Sequence, residues 1–352
     1  MSGSASRATR KIQNPIGFGV IGTGMWGRAH AEVYAANPYS RLVAVCDLQK
    51  DRAEGVAAEF GAKAYTDIDV FLANPEIEAV GIATPDFMHR APAILAAEAG
   101  KHILLEKPLA TTYEDIAAIV DSVTRNKVRL MVDFHARWSP PIVLARDSIR
   151  RGELGDLVSA YYRLNDVISV PLQMLAWAAK SSILWFLGSH TIDTLRWLLD
   201  DEVEWVHSVS HTGVLKAQAV DVPDIYQTLM KFRKGVIATI ENNWIVPNTQ
   251  PNVNDIKLNI LGSKGMLDID LTNNGVLQRF LPDRYDQPDV FVKPQIHDRH
   301  VGFAYAAIND FVERLAFDEE FLTDLRDGVN VSKTVLAIME SAEKDAPVKV
   351  EL

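Results

Sequence analysis

Between Ile16 and about Val132, short apolar runs alternate with amphipathic stretches. The runs are "IGFGVIG", "LVAVCD", "KAYT", "AVGIAT", "HILLEK" and "RLMVDF". Most are apolar almost without a break, as parallel strands covered on both faces must be. The segments between them include "WGRAHAEVYAAN", "DRAEGVAAEFG" and "MHRAPAILAAEAG". They read as helices, and the last stops at Gly100, a residue suited to a helix C-terminus. Strand–helix alternation of this kind predicts a doubly wound parallel sheet.

After Phe134 the rhythm changes. A helical stretch, "PPIVLARDSIRRGELG", leads into "LVSAYYRLNDV" and a second helix, "HTIDTLRWLLD". Strand candidates follow from about Val203 to Val292: "EWVHSVSHTG", "IYQTLMKF", "VIATIENNWIV", "IKLNILGS" and "MLDIDL". Their separators "RKG", "GSKG" and "NNG" are short and rich in turn residues, which predicts antiparallel hairpins. Helices return from about Val301 to Lys344. The expected organisation is a leader over 1–14, a dinucleotide-binding α/β domain over 15–133, and an α+β domain over 134–352. The second domain is expected to be built on a mostly antiparallel, open-faced sheet that binds substrate and joins subunits.

Composition narrows the function classes. A chain of 352 residues is longer than one hydrophobic core usually spans, so two domains are expected. No apolar run is long enough to cross a bilayer, and the polar start "MSGSASRATRKIQN" lacks the apolar core of a secretory signal. It reads as a disordered leader. Cys46 is the single cysteine, which excludes an internal disulfide and a cysteine-rich zinc site and suits a reducing cytoplasm. A formal net charge of −10 argues against general affinity for nucleic acid or an anionic membrane. No spacing of His with Asp or Glu suggests a metal site.

The first strand runs directly into "GTGMWG", with Gly22, Gly24 and Gly27 spaced Gly-x-Gly-x-x-Gly. Gly22 allows a tight turn, Gly24 lets backbone approach a pyrophosphate, and Gly27 lets helix and strand pack closely. Thr23, Met25 and Trp26 complete the loop. Asp47 ends the second strand, where a carboxylate can accept hydrogen bonds from an adenosine ribose. It would repel a ribose 2′-phosphate, so NAD is expected rather than NADP.

Residues 84–89, "TPDFMH", and 100–110, "GKHILLEKPLA", join that loop in a pattern that resembles the Gfo/Idh/MocA family of NAD(P)-dependent oxidoreductases. The resemblance extends through "RWSPPIVLARDSIRRGELGDLV", "GSHTIDTLRWLL", "LNILGSKGMLDID" and "ESAEKDAPVKVEL", in the family's order. It implies cofactor binding by Gly22, Gly24, Gly27 and Asp47, with Thr84 and Pro85 bordering the nicotinamide. His89 matches a family histidine of the same loop, where a structural role at a helix start is the alternative. Glu106, Lys107 and Pro108 match the motif whose lysine sits at the reacting centre. Lys107 also lies where doubly wound sheets hold ligands, and Pro108 biases it toward extended backbone and makes a cis peptide possible.

His190 matches the histidine of the family pattern Asp-x-Gly-x-His-x-x-Asp, here "FLGSHTID". Gly188, His190 and Asp193 are kept, but Phe186 replaces the first aspartate. That leaves His190 as the acid/base beside Lys107 and makes the pocket more apolar. A capping or core role for His190, and a helix-surface or structural one for Asp193, stay open. Arg137 and Trp138 either line the substrate site or hold the domain junction. Trp177, Lys180 and Trp185 fall in the segment that approaches substrate in similar proteins, although tryptophan is more often core.

These residues point first to an NAD-dependent dehydrogenase of a secondary alcohol in a sugar, polyol or related cyclic compound, with Lys107 and His190 managing the hydroxyl proton. A redox-neutral enzyme that recycles a tightly held NAD, and a non-enzymatic NAD sensor, are the alternatives. The open face of the second sheet predicts a homodimer or homotetramer.

Overall fold

The computed structural model describes residues 14–272 and 276–352. The leader expected over 1–14, apart from Asn14, and the "NNG" turn lie outside the described residues. The chain divides into two compact units.

The first unit holds a sheet of six strands: β1 (Ile16–Ile21), β2 (Ser40–Cys46), β3 (Lys63–Tyr65), β4 (Ala79–Ile82), β5 (His102–Leu105) and β6 (Leu130–Val132). They lie in the order β3-β2-β1-β4-β5-β6, and every pairing is parallel. Helices α1 (Met25–Ala36), α2 (Lys50–Phe60), α3 (Ile68–Leu72), α4 (Arg90–Glu98) and α5 (Tyr113–Asn126) connect them. Phe18, Val20, Ile82, Ile103, Leu104 and Leu105 have no solvent exposure, which accounts for the unbroken apolar runs. The strand order reverses beside β1, so the loops after β1 and β4 flank the point where such sheets bind ligands.

Residues 305–325 also belong to this unit. They carry most of α8 (Phe303–Ala316), whose Phe311 meets Phe18 edge-on at 6.0 Å between ring centroids. Asn37 donates to Asn309 at 2.8 Å, and Thr323 Oγ1 donates to the carbonyl of Val132 at 2.6 Å. The chain thus leaves the first unit after Asp133 and later returns to it, a return that a linear reading of periodicity does not reveal.

The second unit comprises residues 111–113, 134–304 and 326–352. After α6 (Pro140–Arg150) come β7 (Leu157–Asp166), α7 (Ser189–Leu199), β8 (Val203–His211), β9 (Ile225–Phe232), β10 (Ile237–Asn243), β11 (Asn254–Gly262) and β12 (Met266–Asp270). Two short hairpins follow, β13 (Arg279–Phe280) with β14 (Tyr285–Asp286), and β15 (Gln295–Ile296) with β16 (Arg299–His300). α9 (Leu325–Lys344) and β17 (Val348–Lys349) close the chain. The large sheet runs β12-β11-β7-β10-β9-β8-β17 and is antiparallel except where β7 meets β10. The expected "RKG" and "GSKG" turns join β9 to β10 and β11 to β12.

One face of this sheet is open. Its register sets Leu229, Tyr161, Ile237, Leu261 and Met266 on a single side, and all are exposed.

Replacing Phe311 with Ala removes a buried ring from the first unit. A loss of about 3–5 kcal/mol is expected, read from the shift in the chemical-denaturation midpoint.

Candidate active site

In the first unit the turn after β1 is set by Gly22, at φ +87°, a conformation that side chains disfavour. A Cβ at Gly27 would lie 1.7 Å from the carbonyl oxygen of Gly22, so only glycine lets α1 start here. A Cβ at Gly24 would meet nothing within 4 Å. That open space lies beside the first amides of α1, which have no side-chain cap. Together they form a cradle for an anionic group. Thr23 is buried in the turn, whereas Met25 is exposed and Trp26 half-buried.

Asp47 closes the cradle. Its Oδ2 accepts from the Thr23 amide at 2.8 Å and from Thr23 Oγ1 at 2.9 Å, while Oδ1 accepts from the Gln49 amide at 2.8 Å. The carboxylate is held at the strand end and only partly buried, with lone pairs left for ribose hydroxyls. The loop after β4 adds Thr84, whose buried Oγ1 has no hydrogen-bond partner, next to Pro85. An orphaned hydroxyl, an open anion cradle and an acid at the end of β2 fit a dinucleotide.

His89 is buried, with Nδ1 2.7 Å from the carbonyl oxygen of Pro108 and Nε2 3.1 Å from that of Thr84. Burial pushes its pKa below the ordinary histidine value. With both nitrogens on backbone carbonyls, His89 braces the β4 and β5 loops against each other. Beyond β5 stand Glu106, Lys107 and Pro108, and the Lys107–Pro108 peptide is cis. Glu106 is buried, with Oε1 3.2 Å from His30 Nε2.

In the second unit a π-helical turn, Leu184–Gly188, runs into α7 and carries His190 inward, leaving it 6% exposed. The His190 ring lies 4.5 Å from that of His135 and 6.5 Å, edge-on, from Phe134. Phe186, one turn before His190, packs between Trp177 at 6.2 Å and Trp244 at 5.9 Å. Trp244 is fully buried and its indole nitrogen has no hydrogen-bond partner. Trp185 is buried in the core, and Lys180 is exposed.

Arg137 and Asp193, both expected to bind substrate, lie against each other. Arg137 Nε donates to Asp193 Oδ2 at 2.9 Å and Nη2 to Oδ1 at 2.6 Å, with both side chains buried. Arg137 Nη2 also reaches Asp327 Oδ1 at 3.0 Å. Arg196 extends the network to Asp327 at 3.2 Å and to both carboxylate oxygens of Glu202 at 2.6 Å. Burial alone would push the Arg137 guanidinium down; the carboxylates of Asp193 and Asp327 hold it above its ordinary value. The pair ties the turn His135–Trp138 to α7 in this unit.

Sequence reading passed over three residues at these sites. His135 and Trp244 sit among residues typical of ordinary core. Asp133, fully buried at the end of β6, is the third; its signal was an acid interrupting the apolar run "LMVDF". His30, Glu106 and Asp133 bring a ring nitrogen and two carboxyl oxygens within 4.8 Å of one another, a grouping that residue spacing does not foreshadow.

Two family profiles match the chain. One, described as an oxidoreductase family with an NAD-binding Rossmann fold, covers residues 16–134; the other, the Gfo/Idh/MocA C-terminal domain, covers residues 142–268. The chain belongs to the Gfo/Idh/MocA oxidoreductases. It is 30% identical to levoglucosan dehydrogenase of Pseudarthrobacter phenanthrenivorans, over 96% of this chain and 99% of that protein. It is 27% identical to inositol 2-dehydrogenase of Rhizobium meliloti, over 96% and 98%. A solved structure of levoglucosan dehydrogenase in complex with NADH matches with a TM-score of 0.81 at 28% identity, covering 96% of this chain and 100% of that one. The protein is therefore an oxidoreductase, and its first unit is an NAD-binding Rossmann domain.

Two predictions follow from the geometry. Asp47→Asn keeps the acceptor toward Thr23 but removes the negative charge, so the ratio of NADP to NAD use should rise about tenfold or more in kcat/KM. Asp193→Ala strands a buried guanidinium with only Asp327 beside it and should cost about 3 kcal/mol in denaturation.

Proposed function

We propose that this oxidoreductase oxidises a secondary alcohol of a sugar, polyol or related cyclic compound with NAD. The observation that carries the reading is the Glu106–Lys107–Pro108 loop, held at the carboxyl end of β5 in the same unit as the dinucleotide cradle. The names of its relatives point the same way: they are dehydrogenases of an anhydrosugar and of inositols, and a reductase of an anhydroketose. No observation favours the redox-neutral or sensor alternatives.

In this mechanism Gly22, Gly24, Gly27 and the start of α1 hold the pyrophosphate, and Asp47 holds the adenosine ribose. Bound NAD supplies the hydride acceptor. Lys107 binds the substrate hydroxyl and takes its proton as the carbon is oxidised, with His190 as the second acid/base. His89 keeps the Thr84 and Pro108 loops in place. Trp177 and Phe186, backed by the buried Trp244, offer an aromatic surface to the C–H face of a sugar-like ring. The apolar side chain at 186 suits a substrate with fewer hydroxyls at that edge than an inositol, and Lys180 can reach its rim.

The test is nicotinamide absorbance on mixing the protein and NAD with a panel of sugars, anhydrosugars, polyols, inositols and glycosides. Reduction by the wild type, lost by about a thousandfold or more in Lys107→Ala with NAD binding retained, is the expected result. Undiminished turnover by Lys107→Ala would remove the lysine from the chemistry.

We also propose that the open sheet face pairs with a second copy of the chain in the cytoplasm, where the single buried thiol of Cys46, pushed up to about 11 by burial, stays reduced. The stripe of Leu229, Tyr161, Ile237, Leu261 and Met266 is the apolar surface such a contact needs. Light scattering should report a dimer or tetramer, and Leu229→Asp with Ile237→Asp should yield monomers. A wild-type monomer would refute the assignment.

A further inference from the structure

The carboxyl ends of β5 and β6 hold a group of buried titratable side chains for which hydride transfer itself has no use. β5 and β6 pair in parallel up to Leu105 and Val132. The Asp133 amide then donates to the carbonyl of Leu105 at 2.8 Å, and the Glu106 amide to that of Ile82 at 2.9 Å. The ladder thus runs one residue further and sets Glu106 beside Asp133. Gly81 on β4 leaves room on the same side, since a Cβ there would lie 2.3 Å from His30 Nδ1 and 2.8 Å from Tyr34 Oη. Into that gap α1 sends His30, 3.2 Å from Glu106, and Tyr34, whose hydroxyl is 3.3 Å from His30 Nδ1.

Asp133 has no solvent exposure, and neither of its carboxyl oxygens has a hydrogen-bond partner. An ionised carboxylate cannot persist there without donors. A protonated one can, and with a Glu106 oxygen within 4.8 Å the two carboxyls can titrate as a pair that holds one proton between them. The titratable groups facing it are Glu106 and Lys107 from the end of β5 and His30 and Tyr34 from α1; His89, at the start of α4, faces Glu106. Burial first, and the Glu106 charge second, push Asp133 well above the ordinary carboxylate range against the pull of Lys107.

We infer that Asp133 and Glu106 share one proton at neutral pH and so present a single negative charge to Lys107, which makes Asp133 a positioning residue for that lysine. The inference rests on the proposed role of Lys107 as the base. Each carboxylate facing the ammonium favours its protonated form, so one negative charge in place of two opposes release of the lysine proton less.

The shared proton is tested without substrate, by the stability of full-length wild type and Asp133→Asn from about pH 4 to about pH 8. A carboxyl protonated in the fold but ionised in the unfolded chain contributes stability that is full below the ordinary aspartate range. That stability is lost as pH rises toward the folded-state value. Asparagine loses nothing, so the variant should gain on the wild type steadily as pH rises. A variant whose stability relative to wild type stays constant or falls as pH rises overturns the shared proton. So does a stoichiometric divalent metal in wild type that Asp133→Asn lacks. If the variant does not fold, the infrared carbonyl band of a protonated carboxyl in the wild type, shifted by labelling aspartate with carbon-13, is the second reading, and its absence overturns the inference.

The action on Lys107 is read from the acid limb of kcat/KM with a substrate from the panel. Asp133→Asn and Glu106→Gln each leave one carboxylate and should leave that limb near its wild-type position. The double variant should move it to lower pH by about one unit. A single Asp133→Asn that moves it as far as the double variant, or a double variant that does not move it, overturns the positioning role. Full activity in Lys107→Ala overturns the proposed function instead, and the stability test of the shared proton still stands.

Discussion

A methyl group at Gly27 would lie 1.7 Å from the carbonyl oxygen of Gly22, and α1 reaches its place only because that methyl is missing. Most of the first unit's chemistry depends on this close approach. It aims the first turn of α1 at the open space over Gly24, where the helix dipole favours an anionic group. It also carries His30 and Tyr34 against the strand ends, through the gap that Gly81 leaves in β4. One packing constraint thus sets both the anion cradle and the buried acid group behind Lys107. A larger side chain at Gly27 would disturb the two together.

The second unit spends its charges differently. Arg137, Arg196, Asp193, Asp327 and Glu202 form a buried network in which each guanidinium meets at least two carboxylates. Removing ions from water is costly, so such groups persist only when the geometry satisfies them on several sides. That requirement is why Arg137 and Asp193 are committed to each other. Bidentate pairing consumes the same hydrogen-bonding capacity that a substrate would need.

The parallel sheet, its order of elements and the glycine loop were legible because they depend on short-range patterns. Apolar runs, helical periodicity and glycine spacing all lie within a few residues of one another along the chain. The return of residues 305–325 to the first unit was not legible, since α8 has the periodicity of any amphipathic helix and nothing local names its partner. Asp133 was hidden for a related reason. Its neighbours Glu106 and His30 are 27 and 103 positions away by the numbering; the parallel register of β5 with β6 brings the first, and α1 packing over Gly81 brings the second. The pairing of Arg137 with Asp193 was hidden too, because an isolated charge in a sequence carries no sign of its partner. The aspartate missing at 186 was visible at once, but what fills its place was not. Trp177, nine residues before it, and Trp244, on the segment after β10, converge there only in the fold.

That convergence bears on how the reaction divides its labour. An aspartate at 186 would offer a negative charge and two acceptor oxygens one helical turn from His190; phenylalanine offers neither. Any hydroxyl at that edge loses an acceptor, and the ring instead favours C–H groups. The imidazole of His190 has the rings of Phe134 and His135 as neighbours. In the proposed reaction the proton is taken by Lys107, which follows Glu106 at the end of β5 in the unit that also buries Asp133.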